Sequence, residues 1–268
     1  MTVSVAQFQL FLLAFTRIMA VLVQVPALGG RLIPNEVKIG FGLLVTLILA
    51  PVAMPKQFPL PPETPSMSMV ALGVGIAREL AIGWVAGYAA SLTFGVLQMA
   101  GEFMSTGSGF AAGRAFNPTF EGSGASFDQL FLIMVSLYFL VINGHHLVLL
   151  AVQQTFIAWP LNGGSVQLGF LSPGDSLQGA ERLLSLTMQL IGSGALLALP
   201  VMGAALLADL TLGLLARVAP QVQVFFLGMP LKVGLGLLML AVALQVMTPA
   251  LRDLLNAIGP RMLFLLGG

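Results

Sequence analysis

Residues 69–101 read MVALGVGIARELAIGWVAGYAASLTFGVLQMAG. A helix needs roughly 20 mostly apolar residues to cross a bilayer. This stretch exceeds that length, and only Arg78 and Glu79, near its start, are charged. Gly83, Gly87, Ser91 and Gly95 recur at every fourth position. On a helix they form one stripe of small residues, which lets a second helix backbone approach closely. Nothing alternates with period two over enough residues for a membrane β-barrel. Lipid cannot satisfy backbone N–H and C=O groups, so helix is the remaining spanning structure. The fold class is therefore all-α, a polytopic membrane protein.

Other apolar runs lie to either side: Phe8–Leu28 with Arg17 inside it, the short Ile39–Pro55, Leu130–Trp159, Leu183–Ala208 with Pro200, and Val233–Leu251. A further run, Val218–Leu231, is broken by Pro220 and Pro230. Gly29, Gly30 and Pro34 separate the first two segments. Pro51, Pro55, Pro59, Pro61, Pro62 and Pro65 form a linker that cannot be one continuous helix. Residues 106–124 and 162–174 read as loops. The first segment carries no Lys or Arg before Arg17, unlike a cleavable secretory signal, so it is expected to be retained.

With six plain spans, Arg31, Lys38, Arg114, Arg217 and Lys232 fall on one side, and Lys56, Arg182, Arg252 and Arg261 on the other. That near-equal division gives the positive-inside rule nothing to act on. Either the spans are miscounted or simple hairpin insertion is not the final arrangement.

Composition agrees. Of 268 residues, 57% are hydrophobic and 8% charged, against about 25% charged in a soluble domain. Lipid or partner chains must cover much of the surface. A net charge of +1 without basic clusters points away from nucleic acid, which demands grouped Lys and Arg. Zero cysteines exclude disulfides, thiolate metal sites and cysteine nucleophiles.

No catalytic constellation emerges. Ser108, Ser123 and Ser193 each sit between glycines, but none has the extra upstream glycine of a G-x-S-G nucleophile. The only histidines, His145 and His146, are adjacent. On a helix they point about 100° apart and cannot chelate one ion together. Asn143-Gly144-His145-His146 reads instead as a helix break. Gly73-x-Gly75 continues to Arg78 rather than a third glycine, so it is no dinucleotide fingerprint, and no phosphate loop is present. Neither a metal nor an organic cofactor is expected.

The intramembrane charges matter more. Arg17, Arg78, Glu79, Glu102 and Asp209 lie in or beside apolar segments. Charges at such depth face protein or water. They form ion pairs between helices or line an aqueous path. Arg78 and Glu79 are neighbours and do not face each other on a helix, so each is expected to find a different partner. The stretch Gly101–Phe120 reads as a loop by its glycines, yet carries Phe103, Phe110, Phe116 and Phe120 with Met104. It either tucks into the bundle or closes a channel, with large apolar side chains excluding water and glycines letting them move aside.

The same residues carry a resemblance that runs nearly end to end. It comprises Thr16-Arg17; Pro26-Ala27-Leu28-Gly29-Gly30, Ile33-Pro34 and Lys38; Arg78-Glu79 with Gly83 and Gly87; and Gly101-Glu102 with Asn117-Pro118. His145-His146, Phe156, Pro160 and Pro200 follow. The most specific part is Ala208-Asp209-Leu210, Gly213, Arg217, Ala219-Pro220-Gln221, Val224-Phe225, Gly228-Met229-Pro230-Leu231-Lys232 and Gly236. The chain resembles the FliR/SctT family, the export-gate component of flagellar and virulence type III secretion. Departures from the family are Ser105-Thr106-Gly107-Ser108 where a Gln-containing stretch is common, Asn117 for an Asp, and Gln223 for an Asn.

The resemblance implies a non-enzymatic subunit of the bacterial inner membrane at the flagellar basal body, built of helical hairpins with bent or broken helices. It implies assembly with FliP and FliQ subunits, and with FlhA-like and FlhB-like components, into a helical funnel that passes unfolded flagellar proteins. Residues 1–208 would be a FliP-like part and 209–268 a FliQ-like C-terminal hairpin. Residues from about Thr106 to Gly122 would be a plug, with Phe110, Phe116, Phe120 and Met104 blocking the pore. Gly83, Gly87, Ser91 and Gly95 would pack helices. Arg17, Arg78, Glu79, Glu102, Asp209, Arg217 and Lys232 would be structural or pore-lining charges. A secondary transporter, with an internal repeat and paired broken helices, and an intramembrane hydrolase using His145 or His146 are the readings from other classes.

Overall fold

The computed structural model describes residues 4–30, 33–53, 66–109, 127–161, 176–221 and 223–267. Among them every regular element is a helix. The elements are α1 (Val5–Leu22), α2 (Pro26–Gly29), α3 (Asn35–Ala53), α4 (Met69–Gly107), α5 (Phe127–Val141), α6 (Gly144–Ala158), α7 (Ser176–Val218), α8 (Val224–Asn256) and α9 (Ile258–Leu266).

Local chemistry sets several boundaries. Ser4 and Gln7 form a capping box at the start of α1, each side chain bonding the other's backbone. Asn143 adopts a left-handed conformation, φ 58°, which asparagine tolerates better than most residues. That turn splits the expected Leu130–Trp159 span into α5 and α6, bent by 68°. Gly267 ends α9 with φ 94°, the usual glycine stop. Pro200, Pro230 and Pro249 lie inside helices, each removing one backbone bond without ending the helix.

The spans differ from the six expected. α1, α4, residues 178–218 of α7, and residues 226–266 across α8 and α9 are long and apolar enough to cross a membrane, with the bent α5–α6 pair as a fifth. The expected second segment lies in α3, outside that set. The expected extra run Val218–Leu231 is the end of α7, a turn and the start of α8. The start of the stretch expected as loop, Gly101 to Gly107, is the helical end of α4. The domain division expected between residues 208 and 209 falls inside the continuous α7.

The chain forms two compact units. Unit 1 holds Met1–Phe94, Phe139–Thr187 and Leu255–Gly268, and unit 2 holds Gly95–Tyr138 and Met188–Leu254. In unit 1, α1 buries Ala6, Leu10, Leu13, Ala14, Ile18 and Val21, the helical spacing of one apolar stripe. α1 runs parallel to α4, since Gly75, Gly83 and Gly87 meet Leu13, Ala20 and Gln24 in rising order. α3 packs on α1 and α6, and α9 packs on α6. Phe94 and Phe139 meet edge to face at 5.3 Å, a geometry favoured by the ring quadrupoles. In unit 2, the end of α4 runs parallel to α7, with Val96 against Gly194 and Gly107 against Met202 and Ala205. α8 returns antiparallel to α7, placing Leu212 on Gly228.

Candidate functional site

Unit 1 is centred on a charge. Arg17, on α1, has no solvent exposure. Its Nε donates to Glu79 Oε2 at 2.5 Å, and Glu79, on α4, is equally buried. Nη1 donates to the Thr155 carbonyl at 2.9 Å and Nη2 to the Trp159 carbonyl at 2.8 Å. The Trp159 carbonyl lies just past the end of α6, where intrahelical donors run out, and the Thr155 carbonyl also accepts from the Trp159 N–H. A cation there also offsets the negative end of the helix dipole. The guanidinium lies 4.3 Å from the Phe156 ring centroid, adding a cation–π contact. One side chain thus ties α1 to α4 and caps α6.

Arg78 and Glu79 take different hydrogen-bond partners, as expected: Glu79 accepts from Arg17, and Arg78 turns to the chain that leaves α6. Arg78 Nη2 donates to the Pro160 carbonyl at 3.1 Å and Nη1 to that of Leu161 at 3.4 Å. Its Nε lies 3.9 Å from Glu79 Oε1. Long side chains let neighbours on one helix converge on the chain that leaves α6. Thr155, Trp159 and Leu161 were not legible as partners, because backbone carbonyls leave no mark in sequence.

The small-residue stripe divides. A Cβ added to Gly83 would lie 2.6 Å from the Arg17 carbonyl oxygen, and one at Gly87 2.6 Å from Gln24 Nε2. Ser91 is half-buried and its hydroxyl donates to the Tyr88 carbonyl. A Cβ at Gly95 would meet nothing within 4 Å.

Unit 2 brings Asp209 and Lys232 together at a junction of three helices. Asp209 on α7 pairs with Lys232 on α8. The Lys232 stem lies over Gly109, where an added Cβ would be 3.6 Å from Lys232 Cβ. Gly109 has φ 79°, a conformation that favours glycine. Ser108 is buried, donates to the Met104 carbonyl at 2.6 Å, and packs on Gly236. Asp209, Leu212, Gly213, Val224, Gly228 and Lys232 line an open cleft of about 320 Å³ there. Met104 is fully buried inside α4, while Phe110, Phe116 and Phe120 lie outside the described residues. Glu102 is half-buried on α4. Arg217 is exposed in the last turn of α7, where its charge suits the helix dipole.

The candidate nucleophiles Ser108 and Ser193 both donate their hydroxyls to carbonyls of the helices they adjoin or belong to. His145 and His146 have ring centroids 4.3 Å apart. Among the described residues no group of three or more His, Asp or Glu is placed to hold a metal.

A multi-pass helical membrane protein, stitched by one buried charge cluster and one junction at the end of its longest early helix, is the class these features define. Residues 8–258 match the family described as bacterial export proteins, family 1, and the chain belongs to that family. It is 30% identical to the flagellar biosynthetic protein FliR of Caulobacter vibrioides, covering 91% of this chain and 93% of that protein. It is 29% identical to the flagellar biosynthetic protein FliR of Pectobacterium carotovorum, covering 92% and 89%. It is 27% identical to the Yop proteins translocation protein T of Yersinia pestis, covering 93% and 92%.

Proposed function

We propose that this chain is a subunit of the flagellar type III protein export gate, a non-enzymatic part of the channel through which unfolded flagellar proteins leave the cytoplasm. The observation that carries this reading is near full-length similarity to flagellar FliR proteins. FliP-like and FliQ-like chains are its immediate partners in this reading, with FlhA-like and FlhB-like components beyond them. Its place is the inner membrane at the basal body. Residues 1–208 supply the FliP-like part and 209–268 the FliQ-like hairpin. The segment from about Thr106 to Gly122 acts as the plug. The seat of Ser108 and Gly109 against α8 supports that role, since it gives the segment a firm root.

Exposed leucines support the need for partners. Leu196, Leu199, Leu206, Leu210 and Leu214 on α7 are all more than half exposed, and only lipid or other chains can cover such a face. Purification from native membranes with mass spectrometry should recover the chain with distinct partner subunits. Recovery of a stable lone chain or a symmetric homo-oligomer would favour a transporter and defeat the reading. Deleting residues 110–122 should leave assembly intact and make the membrane leaky to small ions.

The virulence-type reading has its own support in the similarity to the Yersinia translocation protein. Removing the gene separates the two. Loss of filaments and motility marks the flagellar system, and loss of secretion with motility retained marks the other.

A further inference from the structure

We infer that the uncovered face of α4 in unit 2, formed by Gly95, Gln98, Glu102 and Thr106, lines a water-filled path and is the surface along which an unfolded polypeptide passes. The inference rests on the export reading and names the face that serves it.

From Gly95 onward α4 has two sides. Leu97, Ala100, Met104 and Ser105 are buried, at the spacing of one helical face. Gly95, Gln98 and Thr106 are exposed and Glu102 is half-buried. Their own spacing of three and four residues makes a second stripe, flanked by Met99 and Phe103. The start of the same helix is the opposite case. There Met69, Val70, Val74 and Leu80 are exposed, and lipid suits such side chains. Lipid is a poor cover for Gln98. Its amide carries two donors and an acceptor, which hydrocarbon would leave unmet. Polar side chains on a membrane helix face protein or water. Thr106 donates its hydroxyl to the Glu102 carbonyl at 2.8 Å, so its oxygen remains as an acceptor. An unfolded chain brings peptide N–H and C=O groups that must stay bonded to water or a polar wall. Glutamine and threonine meet them without the fixed charge that would hold one sequence and refuse another. Among the four positions only Glu102 adds a charge. Gly95 leaves room, since a Cβ there would meet nothing within 4 Å.

The chain has no cysteine, so single cysteines report their own surroundings. The test uses the full chain with its partner subunits, in membrane fragments open on both sides. A charged thiol reagent reacts with a thiolate in water and not with a thiol held in lipid. Gln98→Cys, Glu102→Cys and Thr106→Cys should react at least about tenfold faster than Val74→Cys on the apolar face or Ser105→Cys on the buried one. A folded domain fused to an exported polypeptide stalls it in the gate. The stalled chain should slow those three reactions several-fold, and a cysteine within it should bridge to the one placed at position 98. Unreactive positions mean that lipid or a partner chain covers the stripe. Reactive positions that the stalled polypeptide does not shield mean a water cleft off the path. Either result overturns the inference.

A second variant needs no thiol chemistry. Gln98→Leu with Thr106→Val should leave the recovery of partner subunits unchanged and lower the rate of secretion several-fold, because an apolar wall holds water less well. Unchanged secretion overturns the inference. Lost recovery of partners makes the stripe a contact between subunits and overturns it as well. Deleting the whole chain separates this inference from the reading beneath it. If secretion survives that deletion, the export reading fails and takes the stripe with it. If secretion is lost with the chain, yet the stripe cysteines stay unreactive or unshielded, the inference alone fails.

Discussion

Arg17 and Glu79 meet in unit 1 with essentially no exposure, while Asp209 and Lys232 meet in unit 2 with their side chains 50% and 24% exposed. The helices around them differ in the same sense. Half of the α1 span is buried within the chain, against 33% of the α7 span and 22% of the α8–α9 span. Unit 1 carries its principal ion pair in a buried network, although α3 and the start of α4 also expose apolar side chains such as Leu47, Ile48 and Met69. Unit 2 leaves wide apolar faces uncovered and uses a weak surface pair. One unit is organised around a buried ion pair, and the other around a solvent-exposed one.

Four substitutions test that contrast. The largest effect belongs to Glu79→Gln, which leaves Arg17 buried without its counter-charge. Stability should fall by about 3–5 kcal/mol, seen as a lower Tm in detergent, and Arg17→Met with Glu79→Leu should recover most of the loss. A drop below about 1 kcal/mol would mean that water reaches the cluster. Next is Gly83→Ala, whose new Cβ meets the α1 backbone at 2.6 Å and should cost about 1–3 kcal/mol by overpacking. The same change at Gly95 meets open space. There the helix propensity of alanine should raise stability by about 0.5–1 kcal/mol. Smallest for the isolated chain is Leu206→Ser on the exposed face of α7, within about 0.5 kcal/mol. Its effect should appear in weaker recovery of partner subunits, and unchanged recovery would make that face lipid-facing.

Helical class and membrane character were legible because both follow from apolar length and absent charge. The even charge count allowed for a miscount of spans, and the break at Asn143 within one expected span bears on that count. Glycine was harder. Gly101 and Gly107 read as loop residues, yet they lie in α4 where Asp128 and Phe131, or Met202 and Ala205, come close. A glycine that admits a neighbour and one that makes a turn look alike in sequence. Pairings across long separations, Arg17 with Thr155 or Asp209 with Lys232, leave no local signal. The charges were recognisable as needing partners, and only folding names them.

The Arg17 cluster also sets a timetable. Glu79 follows Arg17 by 62 residues and Trp159 by 142. At a synthesis rate of about 5–20 residues per second, Glu79 emerges roughly 3–12 seconds after Arg17, and Trp159 roughly 7–28 seconds after it. An arginine left alone at mid-bilayer is unfavourable by at least about 2.5 kcal/mol. The full set of partners that buries Arg17 therefore exists only once residue 159 has been made.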